Sequence, residues 1–273
     1  MNEQLKEKFP KWCFDNEQYS TVLTDDLDSL IGCAIEQKIN DNRINYFYDF
    51  NTIFIADRLN KNKLLGIDLA LTKGKCWDNH VTRLKKDNKV NVQSANINAI
   101  INVSGDNYYD KYCGSTALVV WSFYDLPLPT TKLGKMLLLC VDSGFLGHYN
   151  SRYRKVHNEF LRMLGYDELI NLLNETDISE FEQLQKEYKT KNKIKLDENG
   201  YLHTYLPLLM LSDALELQLE LPKQQFSIQF KYKSHQGHIT DDDSGDLRKN
   251  VVSFALTGKK FYKYTYKKRE NLI

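Results

Sequence analysis

The run Val22-Leu23-Thr24-Asp25-Asp26-Leu27-Asp28-Ser29 places three acids within four positions, directly after a short apolar stretch and directly before an apolar helical pattern. Carboxylates crowded in this way repel one another and are costly to hold together without a cation. Oxygen-rich clusters are the natural ligands of divalent metals. The competing reading is that Thr24 or Asp25 only caps a helix beginning near Asp26. Both readings turn the chain from strand to helix at this point.

Two later stretches place an acid after an apolar run in the same way. One is Lys63-Leu64-Leu65-Gly66-Ile67-Asp68, followed closely by Cys76-Trp77-Asp78-Asn79-His80. The other is Met136-Leu137-Leu138-Leu139-Cys140-Val141-Asp142. Acids at the carboxyl ends of strands in an open α/β sheet point into one crevice, where such folds keep their sites. His80 adds an imidazole, which suits manganese or iron. Asp57, ending Thr52-Ile53-Phe54-Ile55-Ala56, is a further acid of the same kind.

The ordered set Asp26-x-Asp28-Ser29, Asp68, Asp78-Asn79-His80 and Asp142 resembles the DHH phosphoesterases. These are two-metal enzymes, usually manganese-dependent, that hydrolyse phosphoester or phosphoanhydride bonds in nucleic acids, short oligonucleotides, cyclic dinucleotides or polyphosphate. Lys111-Tyr112-Cys113-Gly114-Ser115-Thr116 is similar to the Ser-Thr helix start that the family sets between its third and fourth motifs. The resemblance covers roughly residues 20–145, and its specificity lies in the order of short motifs. Two positions depart from the family pattern. Thr24 stands where a His or Asp usually precedes the Asp-x-Asp pair, with Asp25 the nearest substitute, and Asn79 replaces the first His of Asp-His-His. An amide oxygen is a weaker ligand than imidazole for a transition metal.

The resemblance implies a two-metal hydrolysis in which Asp26, Asp28, Asp68, His80 and Asp142 are the metal ligands, with Asp68 bridging and Asp57 in reserve. Asp78, Asp68 and His80 form the catalytic set, with Asp78 orienting His80. Ser115, His238 and Lys263 are the expected substrate contacts. The expected cofactor is a pair of Mn2+ ions, with Mg2+ as the substitute. The expected substrate is a nucleotide or short oligonucleotide, with single-stranded nucleic acid as a further partner. The alternative is a degenerate DHH-fold protein that binds nucleic acid or a protein without catalysis.

A chain of 273 residues with 42% hydrophobic content can bury a proper core, as one large domain or two modest ones. A net charge of +1 argues against a globally basic nucleic-acid binder but leaves room for a local patch. Residues 1–10 are charged, with no apolar core of a signal peptide, and no stretch is long enough for a membrane span. The five scattered cysteines form no Cys-x-x-Cys pair. A reduced, cytoplasmic setting is the expectation.

Patterning reads Tyr19–Leu23 as a strand and Leu27–Lys38 as a helix. Strands follow at Ile44–Phe47, Thr52–Ala56 and Leu64–Leu69, and a helix at Ser115–Tyr124 that stops before Pro127. The run from Lys135 to Asp142 stays open between buried strand and buried helix. Helices are expected over Ser151–Leu164 and Ser179–Lys191. The fold class is therefore α/β, a mainly parallel sheet with helices on both faces, plus a smaller α+β carboxyl-terminal lobe. The division expected is a DHH-like α/β domain over residues 1–190 and a substrate-binding lobe over 191–273. The second part carries a lysine run (Lys186, Lys189, Lys191, Lys193, Lys195) read as a solvated face, and a buried helix over Leu202–Leu221 broken near Pro207. Strands at Phe226–Tyr232, Val251–Leu256 and Phe261–Tyr266 complete it.

In the last strand Tyr262, Tyr264 and Tyr266 share one face and Lys263, Thr265 and Lys267 the other. With Arg248, Lys249, Lys259, Lys268 and Arg269 this is the most basic part of the chain. Interleaved aromatic and basic residues suit stacking and phosphate contact, against a plainer reading in which the tyrosines face a core. The loop from Ser234 to Gly245 holds His235 and His238 beside Asp241, Asp242 and Asp243. Gln236-Gly237-His238 falls where many family members carry the Gly-Gly-Gly-His that binds substrate phosphate, but lacks its glycines.

Overall fold

In the computed structural model, which describes residues 1–239 and 250–267, the chain begins with α1 (Glu3–Lys6) and then β1 (Tyr19–Leu23). The first half continues through α2 (Leu27–Asn40), β2 (Ile44–Tyr48), β3 (Thr52–Ile55), β4 (Lys63–Ile67), β5 (Cys76–Asp78), β6 (Ser94–Asn96) and α3 (Ile97–Ile100). Six helical segments and a short hairpin follow: α4 (Thr116–Phe123), α5 (Lys132–Cys140), α6 (Leu146–Tyr149), α7 (Arg154–Met163), α8 (Asp167–Glu175), α9 (Ile178–Glu187), then β7 (Ile194–Leu196) and β8 (Leu202–Thr204). The last part is α10 (Leu208–Leu215), β9 (Ser227–Lys231), β10 (Lys233–His238), β11 (Val251–Gly258) and β12 (Phe261–Tyr266).

The strands β6-β5-β4-β1-β2-β3-β9 form one sheet in that order. The run β6-β5-β4-β1-β2 is parallel, and β3 and β9 close one side antiparallel. All five residues of β1 are buried, as befits a central strand covered on both faces. The expected fold class, α/β with a mainly parallel sheet flanked by helices, is what the chain forms. Because β4 and β2 both pair with β1, the chain leaves β1 toward one side of the sheet and returns on the other. Such a reversal opens a crevice at the carboxyl ends of the strands, and Asp26, Asp28 and Asp68 follow those ends.

The strands β10-β12-β11 form a separate antiparallel sheet. It is docked on the large sheet by an apolar cluster of Val81, Leu84, Val103 and Tyr108 with Phe254, Leu256 and Tyr264. Thr72 Oγ1 donates to the Val251 carbonyl at 2.7 Å, and the Tyr48 hydroxyl donates to Thr265 Oγ1 at 2.8 Å. Tyr264 therefore belongs to a core, as the plainer reading of the tyrosine face has it, while Lys263 on the other face stays exposed. Arg248, Lys249, Lys268, Arg269 and the acidic part of the 234–245 loop lie outside the described residues.

The run ending at Asp142, which sequence leaves open between strand and helix, is the helix α5: it starts at the Thr131 cap and packs on α9 and α10, which buries Met136–Cys140 without alternation. Several expectations need correction. Asp57 follows β3, which runs antiparallel to β2, so this acid lies at the opposite end of the sheet and is exposed. The stretch read as one broken helix from Leu202 is a short strand, β8, followed by α10. Sheet pairing does not follow a division at residue 190 either: β9 completes the large sheet beside β3, and α10 packs on α5. The solvated-face reading of the lysine run holds, since Lys186, Lys189, Lys191, Lys193 and Lys195 are all exposed, while the helices before it, α8 and α9, bury Leu169, Leu173, Phe181 and Leu184 in the main core.

Candidate metal centre

Three acids from distant parts of the chain meet at the crevice. Asp28, Asp68 and Asp142 each offer a carboxylate oxygen, and the three oxygens lie within 4.8 Å of one another. Asp28, in the first turn of α2, is 1% exposed. Its two oxygens accept the backbone N–H groups of Thr116 (2.8 Å) and Ala117 (2.6 Å) at the start of α4, groups that no helix bond uses. Asp68 follows β4 and is 5% exposed, with Oδ1 accepting from Thr116 Oγ1 at 2.7 Å. Asp142 follows α5. Its residue surface is open, yet its carboxyl faces the cluster.

Two of these acids occupy left-handed backbone, Asp68 at φ 52° and Asp142 at φ 50°. Non-glycine residues visit this region at a cost of the order of 1 kcal/mol or more, and such strain gathers at functional sites. The protein holds both carboxylates inward against that cost.

Electrostatics agrees with the geometry. Burial, and then the charges of Asp68, Asp142 and Asp26, push the Asp28 carboxyl well above the usual carboxylate range. Burial also raises Asp68, to about 8, with the Asp26 and Asp142 charges adding to it and His80 and the Thr116 bond opposing it. Desolvation and the Asp26 charge raise Asp142. Burial first, and neighbouring charge after it, disfavours the ionised form of all three acids, which a bound cation would relieve.

A second trio joins Asp68 to Asp78 and His80, again within 4.8 Å. Asp78 ends β5 and is fully buried. Its Oδ1 meets His80 Nδ1 at 2.7 Å and accepts the His80 backbone N–H at 3.1 Å, while Oδ2 accepts from Asn96 Nδ2 at 2.6 Å. Burial works against a charged His80, but Asp78, and after it Asp68, outweigh that and lift its pKa to about 10. With Nδ1 engaged by Asp78, Nε2 is the imidazole nitrogen without a hydrogen bond among the described residues. A carboxylate that fixes a histidine's tautomer in this way is the usual partner of a metal-binding imidazole.

These acids line one wall of a cavity of about 220 Å³ between the two sheets, shared by Asp26, Asp68, His80, Asp142, Lys193 and, from β11 and β12, Ser253, Phe254, Lys263 and Thr265. A second cavity of about 240 Å³ adjoins it, sharing Asp26, Asp142 and Lys193 and lined further by Gln185 and Thr190. A wider groove of about 590 Å³ continues past Gln185 and Lys191 to Lys186 and Lys189. The approach to the acid cluster is therefore cationic.

Of the residues singled out from sequence, Asp28, Asp68, Asp78, His80 and Asp142 are brought together. Asp26 lines the same cavity but stands outside both trios, because it caps α2 by accepting the Ser29 N–H at 3.2 Å. Ser115 is 2% exposed and caps α4, accepting the Leu118 N–H, so it does not line the cavity. His238 is exposed and packs on Phe261, ring centroids 4.2 Å apart, also away from the cavity. Lys263 does line it, with Nζ 5.1 Å from the Phe50 ring centroid. Thr24 is buried, and Asn79 donates its amide to the Gly114 carbonyl. Sequence reading passed over Asn96, Thr116 as a direct partner of two acids, and Lys193. Asn96 and Thr116 stand at strand-end and helix-start positions like the acids they bind, which is a usable signal, whereas nothing local marks Lys193.

Fold and site together define an α/β protein with a buried acid and histidine cluster at the reversal point of a mainly parallel sheet. No protein-family model, no curated protein and no solved structure matches the chain.

Proposed function

We propose that this chain is a metal-dependent phosphoesterase of the DHH kind, acting on a phosphodiester or phosphomonoester of a nucleotide or short oligonucleotide. The observation that carries the reading is the meeting of Asp28, Asp68 and Asp142 within 4.8 Å, from three separate segments of the chain, at the carboxyl end of the sheet. The donor set fits a divalent ion: hard carboxylate oxygens with one imidazole suit Mn2+ or Mg2+, and the raised carboxyls are the mark of a site short of positive charge. A divalent ion held by Asp28, Asp68, His80 and Asp142 would activate water and stabilise charge on the phosphoryl group.

The chain's own groups divide the remaining work. Asp78 and Asn96 hold His80 in one tautomer and one position. The start of α4 fixes Asp28, and Thr116 fixes Asp68. Lys263 and Lys193 both line the cavity and offer ammonium groups to a phosphate entering between the sheets. The docked β10-β12-β11 sheet covers the acids and limits water around them.

The test is hydrolysis of bis-p-nitrophenyl phosphate and a short oligonucleotide with added Mn2+, wild type beside Asp68→Ala. Mn2+-dependent turnover that the substitution abolishes supports the enzyme. Folded protein that binds Mn2+ or oligonucleotide without turnover over a panel of metals establishes the non-catalytic binding protein instead.

A further inference from the structure

We infer that Lys193 occupies the place of one of the two cations, so that the site takes a single divalent ion with a lysine ammonium as its second positive charge. This rests on the metal-centre reading above and departs from the two-ion expectation.

Asp26 is the first reason. Both of its oxygens are committed: Oδ1 accepts the Ser29 N–H at 3.2 Å and Oδ2 accepts Lys193 Nζ at 3.2 Å. The same ammonium reaches Asp25 Oδ1 at 2.9 Å. The two remaining acids of the first motif, Asp25 and Asp26, are thus already bridged by a cation that belongs to the protein.

Lys193 is placed there by the backbone rather than by a mobile side chain alone. The next residue, Ile194, is 1% exposed and donates its N–H to the Asp25 carbonyl at 2.8 Å. The Lys193 carbonyl accepts from Thr204 Oγ1 at 3.1 Å, across the β7-β8 hairpin. The ammonium lies on the wall of both adjoining cavities, together with Asp26 and Asp142.

The remaining positions that would complete a second ion's shell are spent elsewhere. Asn79 turns its amide to the Gly114 carbonyl. Thr24 is buried, and its hydroxyl has no hydrogen-bond partner among the described residues. Asp78 is likewise spent, one oxygen on His80 and the other on Asn96, so the free donors suit one ion and a lysine fills the charge that the other would supply. Ammonium is a compact point charge with three donors, well suited to a phosphate oxygen.

Counting Mn2+ per chain by equilibrium dialysis and titration calorimetry of the full protein tests this without reliance on turnover. The expected counts are one ion for wild type, one for Lys193→Arg, one for Asp26→Asn, and two for Lys193→Met, which frees Asp25 and Asp26. Two ions on wild type, or one on Lys193→Met, overturns the inference while leaving the metal centre standing. Loss of the ion in Asp26→Asn also overturns it, since Asp26 would then be a ligand. No ion on folded wild type defeats the metal-centre reading itself, and the inference with it.

Discussion

The Thr116 hydroxyl donates to Asp68 Oδ1 at 2.7 Å while the Thr116 backbone N–H binds Asp28, so one residue ties two of the site's acids to the start of α4. The side-chain bond favours the charged form of Asp68. Thr116→Val removes it and leaves the backbone bond, so the helix start survives. We expect Mn2+ affinity to fall about tenfold, the lower end for loss of a partner behind a ligand, with stability changed by no more than about 1 kcal/mol. Calorimetric Mn2+ titration and thermal unfolding of the metal-free protein check both.

Asp68→Asn separates function from stability. Asn tolerates left-handed backbone, which suits φ 52° at this position. The Asp68 carboxyl sits near 8 in the fold, against about 4 unfolded. Between those values the folded chain holds a proton that the unfolded chain does not. Its contribution is therefore intact below about pH 4 and is lost as pH rises toward 8. Without metal, Asp68→Asn should be more stable than wild type at pH 8, by about 2 kcal/mol, with the gap narrowing at pH 5 and closing near pH 4. Added Mn2+ should stabilise the wild type and not the variant. Denaturant unfolding at both pH values, with and without Mn2+, reads the four cases.

Asn96 does three things at once: it donates to Asp78 Oδ2 at 2.6 Å and to the His80 carbonyl at 2.7 Å, and it caps α3 by accepting the Ala99 N–H. Asn96→Ala leaves the fully buried Asp78 short of a donor. The expected loss is about 2–4 kcal/mol, combining a lost cap with an under-bonded buried carboxylate. Urea unfolding measures it, and Mn2+ affinity should fall by about ten- to a hundredfold in parallel.

His157, on α7, sets an acid limit on the fold. It is fully buried, and neither ring nitrogen has a hydrogen-bond partner among the described residues. Burial, and then nearby His148, depress its pKa to about 4, against about 6.5 unfolded. Between these values the unfolded chain binds a proton that the folded chain refuses, so stability drains away as pH falls from 6.5 toward 4. The loss amounts to about 3 kcal/mol at the acid end. His157→Leu should remove this slope and raise stability at pH 7 by about 1 kcal/mol. Unfolding midpoints of both proteins from pH 7 to pH 4.5 show whether the curves diverge on the acid side.

What could be read from sequence follows from which contacts are local. The strand β1 and helix α2 were legible because the apolar run and the acid at the helix start are local signals. Asp68 and Asp78 were legible for the same reason, as acids at strand ends. Asp142 was found as an acid after an apolar run, but its run is a helix buried on all sides, where periodicity carries no information. The strand β6, Ser94–Asn96, has no apolar run to announce it. Lys193 meets Asp25 across 168 residues of chain, so its lysine-rich surroundings read only as a solvated face. Ser115 shows the opposite case: its helix-start position was legible, and capping uses up the side chain.

The most direct measurement is the anomalous scattering of a Mn2+-soaked crystal collected at the manganese edge. A peak is expected among the carboxylates of Asp28, Asp68 and Asp142, beside His80. A difference map with no anomalous density there at saturating Mn2+, with the acids ordered and bonded as described, would contradict that expectation.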